Sequence, residues 1–464
     1  MNERLVKIAA AKGEKPGRSY PAAEKGSEPE VKGYYRLIDY PDEEAINMEN
    51  ILRPHRERTI RRMQAQRIVL CIQDGSDMDY TSLAKCEGLG VIGTNQTGAK
   101  SWGLHLHTTF AVATTGLPLG VLRGQCDAPK SKPEDDKRPS HAIPLEEKET
   151  FLWVEAMRDT MEVAATMPQT RLINVGDREA DFFDLFDEQR ANPVVDLLVR
   201  AQHNRGIAEE PFKLFEAVRQ SQKQTEVQVK VPRQSERPNL SKKQARPKRP
   251  GRFADLEVRY QRVQLRPPSY HSDKASIDLW VIHAVEAAPP QGCDAVEWFL
   301  LTTIPIDSPE DAVECLRWYC FGARVESALR WRIEDWHRVL KSGCRVEQVT
   351  HRTAERIRRT IAINMVVAWR IMLMTLMGRE APDLPPDVLF SDIELRVLRT
   401  YAKKKQLKPP STLRDAVRLV ARIGGFLGRA GDGEPGHQLM WNGYAELQML
   451  CEGFALREFA EEDN

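Results

Sequence analysis
The sequence predicts an α/β fold: a mixed sheet with helices on both faces, interrupted by a β-rich insertion and flanked by helical segments at both ends. Three patterns predict it. Residues 68–72 and 171–175 are short, continuous apolar runs, as in strands buried on both faces. Residues 102–114 alternate (Leu104, Leu106, Phe110, Val112) and read as a further strand. Residues 151–167 carry apolar side chains at helical spacing.

In order along the chain, residues 1–66 read as polar and helical, ending in the basic run Arg53, Arg56, Arg58, Arg61, Arg62 and Arg67. The strand 68–72 ends at the turn Gln73-Asp74-Gly75. After the strand 102–114, Thr115-Gly116 turns the chain and 117–122 returns beside it. A charged, proline-containing loop leads to the helix 151–167. The strand 171–175 ends at Gly176-Asp177, and a short helix over 181–189 leads to a strand over 194–200. Strand, strand, strand, helix, strand, helix, strand is the RNase H-like order. Residues 203–295 break it with short alternating strands at 226–231, 256–265 and 277–285. These surround a cationic stretch holding Lys242, Lys243, Arg246, Lys248, Arg249 and Arg252. The core resumes at 298–302, and Ser308-Pro309 caps a helix: serine accepts from free amides and proline suits the first turn. Helices follow to the end. The resulting divisions are 1–66, 67–202, 203–295, 296–380 and 381–464.

The 464 residues suffice for roughly two to four domains. A composition of 41% hydrophobic and 29% charged residues places the chain among globular proteins and excludes a disordered one. The formal net charge is only +1, so any nucleic-acid contact must come from segregated cationic segments. Eight cysteines form no C-x-x-C pair, which points to reduced thiols in the cytoplasm and away from zinc. The most apolar stretch, 362–377, is shorter than the ~20 residues of a membrane span. It contains Asn364 and Arg370 and reads as a buried core helix, so no membrane partner is expected.

Asp74 and Asp177 each follow a predicted buried strand. Ligands bind in the crevice beyond strand ends in α/β sheets. If the two strands are neighbours, their carboxylates converge and call for a hard cation, with magnesium plus substrate phosphate the usual solution. Either aspartate alone also fits an ordinary turn position. A helix predicted over 329–341 carries Arg330, Glu334, Arg338 and Lys341 within about 80° of one another, at about 100° per residue. Leu329, Ile333, Trp336 and Leu340 form the adjacent, core-facing stripe. The polar stripe fits a solvated salt-bridge face. Beside the two aspartates it fits a metal-binding carboxylate among phosphate-seeking cations. His105-Leu-His107 places two imidazoles on one strand face, but no matching Cys or His follows at zinc spacing. His337 lies next to the polar stripe and could contact DNA; a helix-capping or surface role fits equally.

Three motifs carry a resemblance: Cys71-Ile-Gln-Asp-Gly-Ser-Asp77, Gly176-Asp-Arg-Glu-Ala-Asp181 and Arg330-Trp-Arg-Ile-Glu-Asp-Trp-His-Arg-Val-Leu-Lys341. Through them the sequence resembles the IS-four group of insertion-sequence DDE transposases. The resemblance implies a catalytic and metal-binding triad of Asp74, Asp177 and Glu334. It implies two magnesium ions, roughly 3.5–4 Å apart in such sites, with manganese able to substitute. Arg330 and Lys341 would grip a phosphate near a flipped base, Trp298 would stack on that base, and Arg338 and Arg200 would add DNA contacts. The implied substrate is double-stranded DNA, both transposon ends and target, cut and joined through a hairpin; no small-molecule substrate is implied. The helical N-terminal domain would read the ends through Gly33-Tyr-Tyr-Arg36, including Arg36, and through Arg61 and Arg62. The C-terminal helices would form a homodimer on DNA around Ile423-Gly-Gly-Phe426 and Trp441-Asn-Gly-Tyr444. The implied location is the bacterial cytoplasm, at the nucleoid.

Two departures qualify the resemblance. The chain begins partway into the family pattern. Ser327 stands where the family has tyrosine, and residues 321–328 read as an eight-residue insertion, expected to bulge out at Gly322. Tyr319, beyond the insertion, is not expected to replace the missing tyrosine, so hairpin formation should be poor. The second reading is a catalytically impaired, DNA-binding or dimerising inhibitor. The third is another two-metal nuclease on the same fold, disfavoured by the Arg–Glu–Lys helix and Trp298.

Overall fold
The computed structural model describes residues 2–23, 28–94, 98–130, 136–139, 142–208, 211–231, 233, 249–320, 328–429 and 431–462. The N-terminal helices are α1 (Asn2–Glu14), α2 (Tyr20–Ala23), α3 (Glu28–Ile38) and α4 (Met48–Gln64). The core follows as β1 (Ile68–Asp79), β2 (Gly90–Thr94), β3 (Lys100–Ala113), β4 (Pro118–Asp127), α5 (Phe151–Ala165), β5 (Arg171–Gly176), α6 (Phe183–Ala191) and β6 (Asp196–Arg200). Next come α7 (Leu214–Gln220), β7 (Thr225–Val231), β8 (Arg252–Leu265), β9 (Ile277–Glu286) and β10 (Glu297–Thr302). The last helices are α8 (Pro309–Tyr319), α9 (Arg332–Arg338), α10 (Ala354–Glu380), α11 (Asp392–Lys404), α12 (Leu413–Ile423) and α13 (His437–Glu462).

The fold is mixed α/β, with a large mixed sheet and helices consistent with an RNase H-like core. Two compact units divide the chain. One comprises Met1–Val69, Asp74–Lys137 and Arg332–Asn464; the other comprises Leu70–Gln73 and Arg138–Trp331.

In the first unit, β3 pairs antiparallel with β2 through residues 100–103 and with β4 through residues 105–112. Asn47 caps α4 by accepting from the Asn50 amide. α10 is long and apolar enough to cross a membrane, but 72% of its most apolar window is buried, so it serves as a core helix. The capping boxes of α11 (Ser391 with Glu394) and α12 (Thr412 with Asp415) satisfy otherwise orphaned amides. α11, α12 and α13 share a core built from Leu398, Leu413, Val420, Met440 and Leu447.

In the second unit, β5 and β6 run parallel, and β10, β9, β8 and β7 continue from β6 as antiparallel neighbours. The strands read from the sequence as an insertion therefore extend the same sheet. Gln73 of β1 donates to Asn174 of β5 at 3.0 Å, satisfying two buried amides. Ser308, Pro309 and Asp311 form the expected capped start of α8.

The structure corrects or refines four details. β1 runs through the expected turn at Gln73-Asp74-Gly75 and ends at Asp79, so Asp74 lies inside a strand. The expected helix over 329–341 is a 3₁₀ turn at Leu329–Trp331, then α9, then a π turn at Val339–Gly343. Within the C-terminal region expected to hold the dimer contact, the Phe426 and Tyr444 side chains are buried in the unit's own core. β2 and α7 have no counterpart in the sequence reading; at five and seven residues they are too short to show a period. Of the cationic stretch, Arg249 and Arg252 are described, whereas Lys242, Lys243, Arg246 and Lys248 lie outside the described residues.

α12 and α13 approach closely at Gly443, where an added Cβ would overlap the Val420 carbonyl oxygen. Gly453, on the same helix, has open space around its Cβ position. Gly443→Ala should therefore destabilise the chain by about 1–3 kcal/mol. Gly453→Ala should stabilise it by up to about 1 kcal/mol through helix propensity. Urea unfolding of both variants checks this, and equal effects would refute the packing argument.

Candidate functional site
In the first unit, Asp74 of β1 is buried, at 8% exposure. At its neighbour Gly75 an added Cβ would lie 2.8 Å from the His105 ring, which would have to shift. His105 Nδ1 is 2.8 Å from Asp77 Oδ1, which holds that imidazole at the strand surface. Opposite stands α9. Its core stripe is buried as expected: Ile333, Trp336 and Leu340 are fully enclosed, and the Trp336 ring sits 5.4 Å from that of Phe110 in β3. This seating leaves Glu334 half-buried on the neighbouring face.

Asp74, Glu334 and His337 each bring one ligand atom within 4.8 Å of the others. His337, for which a DNA contact, a helix cap and a surface position all stood open, is buried at 5% exposure, with Nδ1 3.7 Å from Asp74 Oδ2. Glu334 and His337 are three residues apart on a helix and so share a face. That spacing was visible in the sequence, but the burial that turns the imidazole toward Asp74 was not. Two hard carboxylates and one imidazole suit a divalent cation. His107 lies deeper, fully buried. Burial, with His105, Arg123 and His337 nearby, holds its pKa down to about 3, so it stays neutral.

Lys341 does not extend the helical stripe. The π turn ends with Cys344 N donating to Val339 O, five residues back, and Lys341 Nζ donates to the Asp77 carbonyl at 2.5 Å. Arg338 is exposed and pairs with Asp335 at 2.7 Å. Of the N-terminal candidates, Arg36 and Arg61 are exposed. Arg62 is held internally: it donates to Leu119 O at 2.5 Å and lies 4.5 Å over the Trp369 ring. Burial lowers its pKa to about 10.

In the second unit, Asp177 caps the 3₁₀ turn Arg178–Ala180, accepting from Glu179 N at 2.8 Å. It lines a cavity of about 310 Å³ with Arg178, Arg200, Trp298, Tyr319, Cys320, Arg330 and Trp331. Four residues singled out from the sequence, Asp177, Arg200, Trp298 and Arg330, thus meet in one cavity. Leu300 of β10 pairs with Arg200 of β6, and this register sets Trp298 two residues along. The Arg330 guanidinium is 3.6 Å from Asp177 Oδ2, 5.7 Å from the exposed Trp331 ring and 5.9 Å from the Tyr319 ring. Burial pulls the Arg200 pKa down and pushes that of the Tyr319 phenol up. Tyr319 therefore stands beside Arg330 despite the insertion, against expectation. Ser327 and residues 321–326 of that insertion lie outside the described residues. The cavity offers guanidinium groups for phosphate and aromatic faces for an unstacked base.

Residues 366–462 match the family model of the transposase Tn5 dimerisation domain. The match supports a Tn5-like transposase, and with it a DNA-processing chain that forms homodimers. The matched segment exposes Leu427, Met449, Leu450 and Leu456.

His55, His107 and His437 of the first unit all have pKa values near 3, lowered first by burial from 6.5. The folded state therefore binds fewer protons than the unfolded chain between about pH 3 and 6.5. Their contribution to stability is full above about pH 6.5 and is lost as pH falls through that window. His107→Asn should flatten the slope by up to about 1.4 kcal/mol per pH unit. Urea unfolding at a series of pH values measures this; an unchanged slope would mean that His107 does not titrate as its burial implies.

Proposed function
We propose that this chain is an insertion-sequence transposase that cuts and rejoins DNA by metal-assisted phosphoryl transfer. The carrying observation is that Asp74 and Glu334, from distant parts of the chain, meet with His337 inside one ligand sphere. The Tn5-type dimerisation match supports the same reading. Asp74 and Glu334 are the proposed carboxylate ligands. Asp177 is assigned as the third acid through the family resemblance. Magnesium, with manganese as a substitute, would activate the attacking oxygen and stabilise the leaving oxygen of an in-line displacement.

The remaining roles fall to side chains. Arg330 and Arg200 offer charge-assisted bonds to a phosphate. Trp298, with Tyr319 beside Arg330, offers stacking surface to a base drawn from the duplex, offsetting part of the few kcal/mol that unstacking costs. Such a base pocket suits a route through a DNA hairpin, in which a freed 3′-hydroxyl attacks the opposite strand. Arg36, Arg61 and Arg338 are proposed DNA contacts from exposed positions. The working unit is a homodimer on transposon-end and target DNA, at the bacterial nucleoid in the cytoplasm.

Two tests follow. Asp74→Ala, Asp177→Ala and Glu334→Ala should each abolish magnesium-dependent nicking of plasmid DNA carrying the element's own ends. Circular dichroism and gel-shift affinity should stay near those of the unaltered chain. Full nicking by any of the three would remove that residue from the site. DNA affinity should also fall steeply with salt, and each phosphate contact removed, at Arg61 for example, should lower the slope of log K against log salt by about one unit. A slope unchanged by Arg61→Ala would place that arginine off the DNA.

A further inference from the structure
We propose that His337 coordinates, through Nδ1, the cation held by Asp74 and Glu334, giving this centre a nitrogen donor and a preference for manganese over magnesium. The inference rests on the metal-dependent reading above and concerns the make-up of the same site.

Geometry carries it first. His337 Nδ1 lies 3.7 Å from Asp74 Oδ2, beyond the 2.7–3.2 Å of an N–H···O hydrogen bond. Two donors about 2.1–2.2 Å from one octahedral cation lie roughly 3.0 Å apart when adjacent and 4.3 Å apart when opposite. The observed distance falls between these, and all three ligand atoms lie within 4.8 Å of one another. Small side-chain rotations would close such a set on a cation.

The helix carries it second. Glu334-x-x-His337 has the three-residue spacing by which helical bundles direct a glutamate and a histidine to one metal ion. Burial of Trp336 between them sets the rotation of α9, with its ring 5.2 Å from that of His337. The surroundings carry it third. Of the other imidazoles nearby, His105 is bound to Asp77 and His107 is fully buried. Nδ1 of His337 is the nitrogen that faces the carboxylate.

The chemistry then sets the metal preference. Magnesium favours oxygen ligands and keeps several waters, whereas imidazole suits transition metals. A site with two carboxylates and one imidazole should hold manganese more tightly than an all-oxygen site would, relative to magnesium.

The test uses the full chain freed of metal by chelation, titrated with manganese and followed by electron paramagnetic resonance, with magnesium as competitor. Pulsed measurement should show ¹⁴N coupling from one directly bound imidazole, and His337→Ala should abolish it. Manganese affinity of that variant should fall by on the order of 10–100-fold, and magnesium affinity by much less. His337→Asn keeps a polar group near the position of Nδ1, now an amide that can present oxygen; it should narrow the preference for manganese over magnesium while leaving the circular dichroism spectrum intact. Manganese bound with no ¹⁴N coupling, or coupling that persists in His337→Ala, would overturn the inference and leave the carboxylate site standing. Manganese binding indifferent to both Asp74→Ala and Glu334→Ala would instead overturn the metal-dependent reading itself, and this inference with it.

Discussion
The burial of Trp336 is the constraint on which the first unit's centre depends. α9 is only seven residues long and could not hold a fixed orientation by helix propensity alone. Its rotation is set by Ile333 and Trp336, followed by Val339 and Leu340 in the next turn, all fully buried. Exposing any large one would cost roughly 1.5–3 kcal/mol. With that face seated against Phe110, Glu334 and His337 have only one direction left, toward β1 and Asp74. The π turn after α9 belongs to the same solution. Within it Val339 and Leu340 are fully buried while Lys341 donates to the Asp77 carbonyl.

Much of this was legible in the sequence because it depends on period. The apolar runs at 68–72 and 171–175, the alternation in β3 and the stripe through Ile333, Trp336 and Leu340 are short-range patterns with a physical cause in burial. The positions of Asp177, Trp298 and Arg330 followed from motifs, and they do share one cavity. What escaped was long-range or irregular. β1 continues through Asp74 to Asp79, although Gln73-Asp74-Gly75 looks locally like a turn. The open Cα of Gly75 makes space for the His105 ring, a tertiary demand that reads in sequence as turn chemistry. The role of His337 stayed open in the sequence because its helical position borders the polar stripe, and its burial comes from tertiary packing.

Tyr319 shows the same limit in the second unit. Counting residues separated it from Arg330 by an insertion, and a residue count treats the intervening chain as a rigid spacer. The fold instead brings the end of α8 and the turn at Leu329–Trp331 together, so that an aromatic ring stands beside the guanidinium. Arg330 meets several demands at once. It is buried, close to the Asp177 carboxylate, and flanked by the rings of Tyr319 and Trp331. A guanidinium suits this position better than an ammonium, because its plane can stack on rings while its edge points to an anion.

The charge distribution is uneven, and net charge alone would have obscured it. The arginines fall into two physical kinds. Arg62, Arg252 and Arg359 are internal ties: Arg62 bonds to the β4 backbone, Arg252 pairs with Glu286, and Arg359, at 2% exposure, donates to the carbonyls of Ile38 and Tyr40. Their charge is spent on structure and is unavailable to a polyanion. Arg36, Arg61, Arg338 and the run Lys403, Lys404 and Lys405 are exposed. These exposed cations are of the kind that the proposed DNA contacts require, since phosphate contacts work by displacing counterions. A formal net charge of +1 therefore does not describe the surface, because part of the positive charge is held inside the fold and part stands exposed to solvent.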